Sequence, residues 1–394
     1  MNKTLLFSVL ALTACAFADG DSTNVAFTEE NLVAGRMDSD CKPKPKPRPC
    51  EPCVRQAVRP VVLTSSRPCS DAGIYFFGDA LYWHADVGNS DWAFVNTGAT
   101  PGIPSGPTKE TTFKWNFGFR AGIGINFDHD QWDSNIYYTW FRNHHSHNHD
   151  NTVSVAFPSF ANSLDTNYAG TFTTGEARAR LNFNVVDWEL GRWFYVSKSL
   201  SLRPHAGLKG SWIKLRTRES LTAGLTTGAA SYTSTDTTKS WSVGPAAGLN
   251  SNWYFGCGDT TDTRDGHRGE VRNRPHFSIF ADFAGALMFS HFKNHHSEAG
   301  TTAAGLPAGG FNPTHLNRNL VVPVLTSIAG LAWDTCFDCD KMHFGIRLGY
   351  EFQWWFRQHQ RLIVEAPGAS SPRYIRFADD LALQGVTLDL RFDF

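Results

Sequence analysis

Apolar and polar residues alternate along this chain with a period of two. In FKWNFGFRAGIGINFD, Phe113, Trp115, Phe117, Phe119, Ala121, Ile123, Ile125 and Phe127 share one parity, and Lys114, Asn116, Gly118, Arg120, Gly122, Gly124, Asn126 and Asp128 share the other. MHFGIRLGYEFQWWF repeats the design, with Met342, Phe344, Ile346, Leu348, Tyr350, Phe352, Trp354 and Phe356 opposite His343, Gly345, Arg347, Gly349, Glu351 and Gln353. Successive side chains leave a strand on opposite sides, so these runs predict strands with one apolar face. Less regular strands are expected to start near Ile74, Gln131, Ala177, Ser199, Lys239, Phe277, Val322 and Leu381, making ten. In ARLNFNVVDWELGRWF, Leu181, Phe183 and Val185 keep one phase and Trp188 and Leu190 take the other, which predicts a β-bulge near Val185-Val186.

A soluble antiparallel sandwich would also alternate. However, many of these strands run 12 to 16 residues and carry aromatics near their ends, beyond the usual length of about five or six. Lipid offers no partner for an open sheet edge. The pattern therefore predicts an all-β fold: a closed antiparallel transmembrane β-barrel with an even number of strands, ten or more, over residues 73–394. The connections agree with it. Short links at 128–131 and 196–199 alternate with long polar stretches at about 87–112, 144–174, 217–238, 293–320 and 357–380, while 256–275 is long for an inner turn.

The chain closes on GVTLDLRFDF, where Val386, Leu388, Leu390, Phe392 and Phe394 form one apolar stripe. This stripe resembles the carboxy-terminal signal read by outer-membrane assembly machinery, which becomes an expected partner beside outer-membrane lipid.

Residues 1–18 read as a secretory signal peptide, with Lys3 before a short apolar core and Ala16-Phe17-Ala18 at the cleavage site. A competing reading lipidates Cys15. No later run reaches the roughly 18 to 20 apolar residues of a spanning helix; VPVLTSIAGLAW is interrupted by Thr326 and Ser327. Residues 19–72 form a periplasmic segment rich in Cys, Pro and Lys, whose CKPKPKPRPC stretch favours extended polyproline II. Aromatic residues make up 13% of the chain and charged residues 19%, below the usual quarter, with a net charge of −1. That balance excludes nucleic acid as a partner.

GDALYWHAD at 78–86, HDQWDSNIYYTWF at 129–141, VVDWELGRWFYVSKSLSLRPHAGLKGSWI at 185–213 and VGPAAGLNSNW at 243–253 resemble the pore-forming, major-outer-membrane-protein-like proteins of Legionella and Chlamydia-related bacteria. The resemblance implies an abundant outer-membrane porin passing small hydrophilic solutes. It brings no catalytic motif, and the sequence shows no nucleophile, phosphate loop or strong metal spacing, so neither enzyme activity nor a cofactor is expected.

Lys114, Arg120, Arg203, His205, Lys209, Arg347, Glu351, Asp389, Arg391 and Asp393 are expected to face inward. In a wet lumen they would stay solvated and shape the field on passing ions; the alternative is that they pair and plug a narrow barrel, leaving a closed surface adhesin or structural protein acting through its His-rich loops. His144, His145, His147 and His149, with a second group at His291, His295 and His296, are weak metal candidates set against an ordinary polar-loop reading. Cys41, Cys50, Cys53, Cys69, Cys257, Cys336 and Cys339 all map to the periplasmic side. An oxidising compartment favours disulfides there, and the odd number leaves a thiol for joining a second copy of the chain.

Overall fold

The computed structural model describes residues 73–96, 106–127, 130–150, 155–158, 174–197, 199–225, 228–255, 276–301, 307–311, 316–337, 342–365 and 373–394. The expected signal peptide, the cationic segment and every expected disulfide cysteine except Cys336 lie outside these. Cys336 sits near the end of a strand, opposite His343.

The strands in chain order are β1 (Gly73–Val87), β2 (Asp91–Asn96), β3 (Thr108–Glu110), β4 (Asn116–Asn126), β5 (Trp132–Asp150), β6 (Val155–Pro158), β7 (Thr174–Arg192), β8 (Phe194–Tyr195), β9 (Leu200–Leu225), β10 (Gly228–Phe255), β11 (His276–Thr301), β12 (Pro307–Phe311), β13 (Leu316–Phe337), β14 (Met342–Glu365) and β15 (Arg373–Asp393). Ten of them, β1, β4, β5, β7, β9, β10, β11, β13, β14 and β15, each pair antiparallel with the next, and β15 pairs back onto β1. The predicted closed ten-strand barrel is thus the observed one. The short β8 pairs with β9 and β12 with β11, while β2, β3 and β6 make a small separate sheet.

Outward side chains form a continuous apolar band. On β4 it comprises Phe117, Phe119, Ala121, Ile123 and Ile125; on β14 Ile346, Leu348 and Tyr350; on β15 Val386, Leu388, Leu390 and Phe394, all exposed or nearly so. Tyr82, Trp115, Trp212 and Trp241 mark one edge of the band, and Trp253, Phe255, Phe277 and Phe394 the other. Such girdles place amphipathic rings at the two lipid–water boundaries.

Past the first of these edges the polarity of the strands inverts. On β7 the outward residues run Leu190, Trp188, Val186, then Asn184, Asn182, Arg180, Arg178. The inward ones run Glu189, Asp187, then Val185, Phe183, Leu181, Ala179. Beyond lipid, water lies outside the sheet and the apolar face turns in. This replaces the bulge expected near Val185-Val186: β7 keeps unbroken register with both β5 and β9. Phe113 is corrected for the same reason. It precedes β4 and is buried inside, although Trp115 stacks outward on Tyr82 at 5.5 Å.

Much of the polar sequence expected as long loops is strand that continues beyond the band. β9 and β10 reach 26 and 28 residues, so 217–238 is mostly a projecting hairpin, and 144–150, 293–301 and 357–365 extend other strands likewise. The register irregularity of β14 falls between Trp355 and His359, where Arg357 takes a φ of 53°.

Packing inside the barrel sets where glycine must stand. Gly122 and Gly124 face inward, and a methyl at either would enter the ring of Phe77 or Tyr75 on β1. Gly122→Val or Gly124→Val should therefore cut assembled, heat-modifiable barrel severely, whereas Ala121→Val, one residue away on the outward face, should assemble normally. Equal yields from the three variants would show that inward and outward faces have been assigned wrongly.

Candidate functional site

Many strands together build the lumen, and it is layered. Nearest the short-link end lies a charged half. Arg120 Nη1 donates to Asp79 Oδ2 and its Nη2 to Glu351 Oε1, each at 2.7 Å. Arg203 is 2.8 Å from Asp133 and 3.2 Å from Glu189. Lys209 lies 2.5 Å from Asp187 and Arg391 2.7 Å from Asp393. His205 stands between Glu189 and Asp282 at 3.6 and 3.4 Å, and His343 bridges Asp334 and Asp393. Register explains the crossing pairs: Arg120 is opposite Asp79, which is opposite Asp389, which is opposite Arg347. That row also sets Asp79 and Asp389 side by side, two like charges bracketed by Arg120 and Arg347.

Of the side chains expected to line a pore, Arg120, Arg203, His205, Lys209, Arg347, Glu351, Asp389, Arg391 and Asp393 do converge on this lumen. Most are paired rather than free in water. Arg347 is the exception among the cations: it packs over the Phe280 ring at 5.7 Å and has no carboxylate within 4 Å among the described residues. Lys114 does not join them, because it precedes β4 and is exposed. The carboxylates Asp79, Asp133, Asp187 and Glu189 complete the network; only their parity opposite the apolar residues could have signalled them. Cavities of about 140 and 80 Å³ remain within this half.

Above the charged half the space closes. Leu81, Trp83, Phe141, Leu181, Phe183, Ile213, Met288, Val324, Trp355 and Leu383 pack into one buried cluster drawn from around the barrel. Phe183 and Trp355 meet edge to face at 5.4 Å, and Trp83 donates Nε1–H to Thr387 Oγ1 at 3.2 Å. A pocket of about 10 Å³ lies beside this belt, among Leu181, Ile213 and Leu381, and the cavity of about 80 Å³ reaches Phe183 and Val185 from the charged side.

A second polar layer caps the belt, holding Glu219, Asp236, His296 and Arg361. Thr238 Oγ1 and Asn294 Nδ2 both donate to the Gln360 carbonyl, at 2.9 and 2.6 Å. Of the histidines expected as metal candidates, His145 and His147 meet edge to face, ring centroids 4.5 Å apart, and His144, His291 and His296 point elsewhere. His144 projects from the opposite face of β5 to His145 and His147, His147 is engaged by the Thr112 backbone at 3.1 Å, and the side chain of His149 lies outside the described residues. His291 contacts Asn319 Oδ1 at 2.7 Å, whereas His296 turns inward to Asp236 at 3.5 Å. No group of three His, Cys, Asp or Glu side chains among the described residues is placed to hold a metal ion.

A family model described as Legionella pneumophila major outer membrane protein precursor matches residues 66–259 and 264–394. No curated protein matches the chain. Among solved structures, it is similar to the outer membrane protease OmpT from Escherichia coli, with 11% identity over 82% of this chain and 97% of that one at a TM-score of 0.32. It is also similar to the toluene transporter TodX of Pseudomonas putida, with 9% identity over 82% and 89% at 0.26. The translocator domain of the autotransporter NalP from Neisseria meningitidis matches at 10% identity over 82% and 88%, with a TM-score of 0.25.

Glu219 lies seven residues past the girdle residue Trp212, outside the apolar band. Burial pushes its carboxyl up to about 7 from an ordinary 4.5, outweighing the Arg361 guanidinium at 3.1 Å. The folded chain thus binds this proton more tightly than the unfolded chain. The corresponding stability is complete below about pH 4.5 and is lost as the pH rises to about 7. Glu219→Gln should match the parent at pH 4, where the two side chains are nearly isosteric, and exceed it at pH 8, read as hydrogen-exchange protection of the β9–β10 hairpin. A variant less protected than the parent at pH 8 would refute the burial argument.

Proposed function

The chain belongs to the Legionella pneumophila major outer membrane protein family, and on that premise we propose that it is a porin admitting small hydrophilic solutes through a lumen held shut at rest by the apolar belt. The observation that carries this reading is the layering: a charged, partly hollow half ends at a belt of packed apolar side chains, with a second polar layer beyond it. A hydrophobic constriction between wet chambers blocks ions by excluding water, and opens when side chains move aside. The role is passive and makes or breaks no bonds. In this reading the short links face the periplasm and the projecting hairpins face outward.

Planar-bilayer conductance is the test. The parent chain should be mostly closed with brief openings, and Trp83→Ala with Trp355→Ala should raise the open fraction at least tenfold. Arg347→Gln, which removes a lumen cation without adding a carboxylate beside Asp389, should move ion preference toward cations. Arg120→Glu should instead fail to assemble, since it sets a third carboxylate against Asp79 and Glu351; uncompensated buried charge costs about 3–5 kcal/mol. Folded barrels that never conduct, even without Trp83 and Trp355, would establish the second reading, favoured by the completeness of the belt: a closed structural barrel presenting its hairpins.

We also propose that the cysteines of the amino-terminal segment cross-link neighbouring copies into the envelope. Non-reducing electrophoresis of fresh envelopes should show ladders that collapse with reductant and vanish when Cys41, Cys50, Cys53 and Cys69 become Ser. A monomer band indifferent to reductant would remove that role.

A further inference from the structure

The outer surface just beyond the girdle carries facing rows of basic residues on β7, β9, β10 and β11. Pairing register sets Arg178 opposite Arg218 and Arg180 opposite Arg216 across β7–β9, and lines up Lys214, Lys239 and Lys293 across β9, β10 and β11. All seven lie on outward faces, six of them exposed and Lys214 half-buried. Strands are about 4.8 Å apart, and like charges directly opposite destabilise a sheet. Among the described residues the only carboxylate within 4 Å of any of the seven is that of Glu176, 2.6 Å from Arg178 in an exposed pair, which is worth little. On the far side of the barrel the residues beyond the band mix signs, Asp86 and Asp380 with Arg357 and Arg376.

This patch continues directly from the apolar band. Lys214 is the next outward residue after Trp212, and Lys239 the next after Trp241. A same-face step is roughly 7 Å along the strand, and less along the barrel axis because strands tilt. Lys214, Lys239, Arg180 and Arg216 therefore stand at the height of lipid headgroups, with long stems able to reach up or down from the boundary.

We propose that this face of β7, β9, β10 and β11 binds a phosphorylated glycolipid of the outer leaflet, its phosphates held by the Lys and Arg rows and its acyl chains lying on the apolar band beneath. Guanidinium groups grip phosphate oxygens in pairs, which suits the facing Arg180 and Arg216. A soluble polyanion would match the charge but not the apolar surface joined to it. The inference rests on the outward orientation of the hairpins given above.

The test uses the full-length folded protein in detergent, with diphosphorylated lipid A as the probe and native mass spectrometry as the readout. Lys214→Gln/Lys239→Gln/Lys293→Gln should weaken binding at least tenfold, the triple Lys→Arg variant should retain it, and lipid A stripped of phosphate should bind the parent at least tenfold more weakly. Inorganic phosphate at 50-fold excess should not displace the lipid. Undiminished binding by the Gln variant, equal binding of stripped lipid, displacement by free phosphate, or tighter binding of a sulfated oligosaccharide would each overturn the proposal. Orientation is read separately, by labelling intact cells after Ser231→Cys with a membrane-impermeant maleimide. Absence of label would defeat the orientation while leaving the detergent result to judge the patch.

Discussion

A backbone amide in hydrocarbon has no water to bond, and that constraint governs this molecule. It is met by one seam, where β1 and β15 pair from Tyr75 opposite Asp393 to Val87 opposite Leu381. Without this seam two strand edges would face lipid, each unsatisfied group costing several kcal/mol. The seam also ties the last residue to the first strand. Phe394 donates its backbone N–H to the Ile74 carbonyl at 3.0 Å, and its ring meets Phe76 at 6.0 Å. The aromatic chain end is therefore part of the girdle, on the strand that closes the ring.

Closure with ten strands leaves an interior narrow enough for side chains to span. Arg120 on β4 reaches Glu351 on β14 across β1 and β15, and Arg361 on β14 reaches Glu219 on β9. Buried charges of this kind lose hydration and regain it only through pairing, so the charged half is dense with cross-strand pairs. The belt arises from the opposite solution, apolar rings filling the same width. Where strands leave lipid for water, alternation persists but its sense reverses. The lumen thus changes from charged to apolar near the height at which the outer surface changes from apolar to charged.

That reversal links the proposed channel and the proposed lipid site. The belt residues Leu181 and Ile213 alternate along β7 and β9 with Arg180 and Lys214 of the basic face. Strand stiffness holds both faces in register, so the proposed headgroup contacts outside and the belt packing inside share one rigid element.

Sequence alone determined that ten long strands form and which parity of each carries its apolar face, because a period of two over ten or more residues is the period of a strand. Phe117 to Ile125 and Phe344 to Phe356 point outward as their parity requires, and the charges at Arg120, Arg203, Lys209 and Glu351 point inward. The family likeness was also legible. What sequence could not decide is what lies opposite what. The phase change in β7 reads equally as a bulge or as passage from lipid to water, and only unbroken pairing with both neighbours distinguishes them. Whether inward charges meet water or one another depends on barrel width, set by closure, and on registers such as Arg120 with Asp79. Phe113, Phe183 and Trp355 lie far apart in the chain, so the belt exists only once ten strands bring them to one height. The basic face follows the same logic: Lys214, Lys239 and Lys293 are isolated in sequence and become a row through the pairing of β9, β10 and β11.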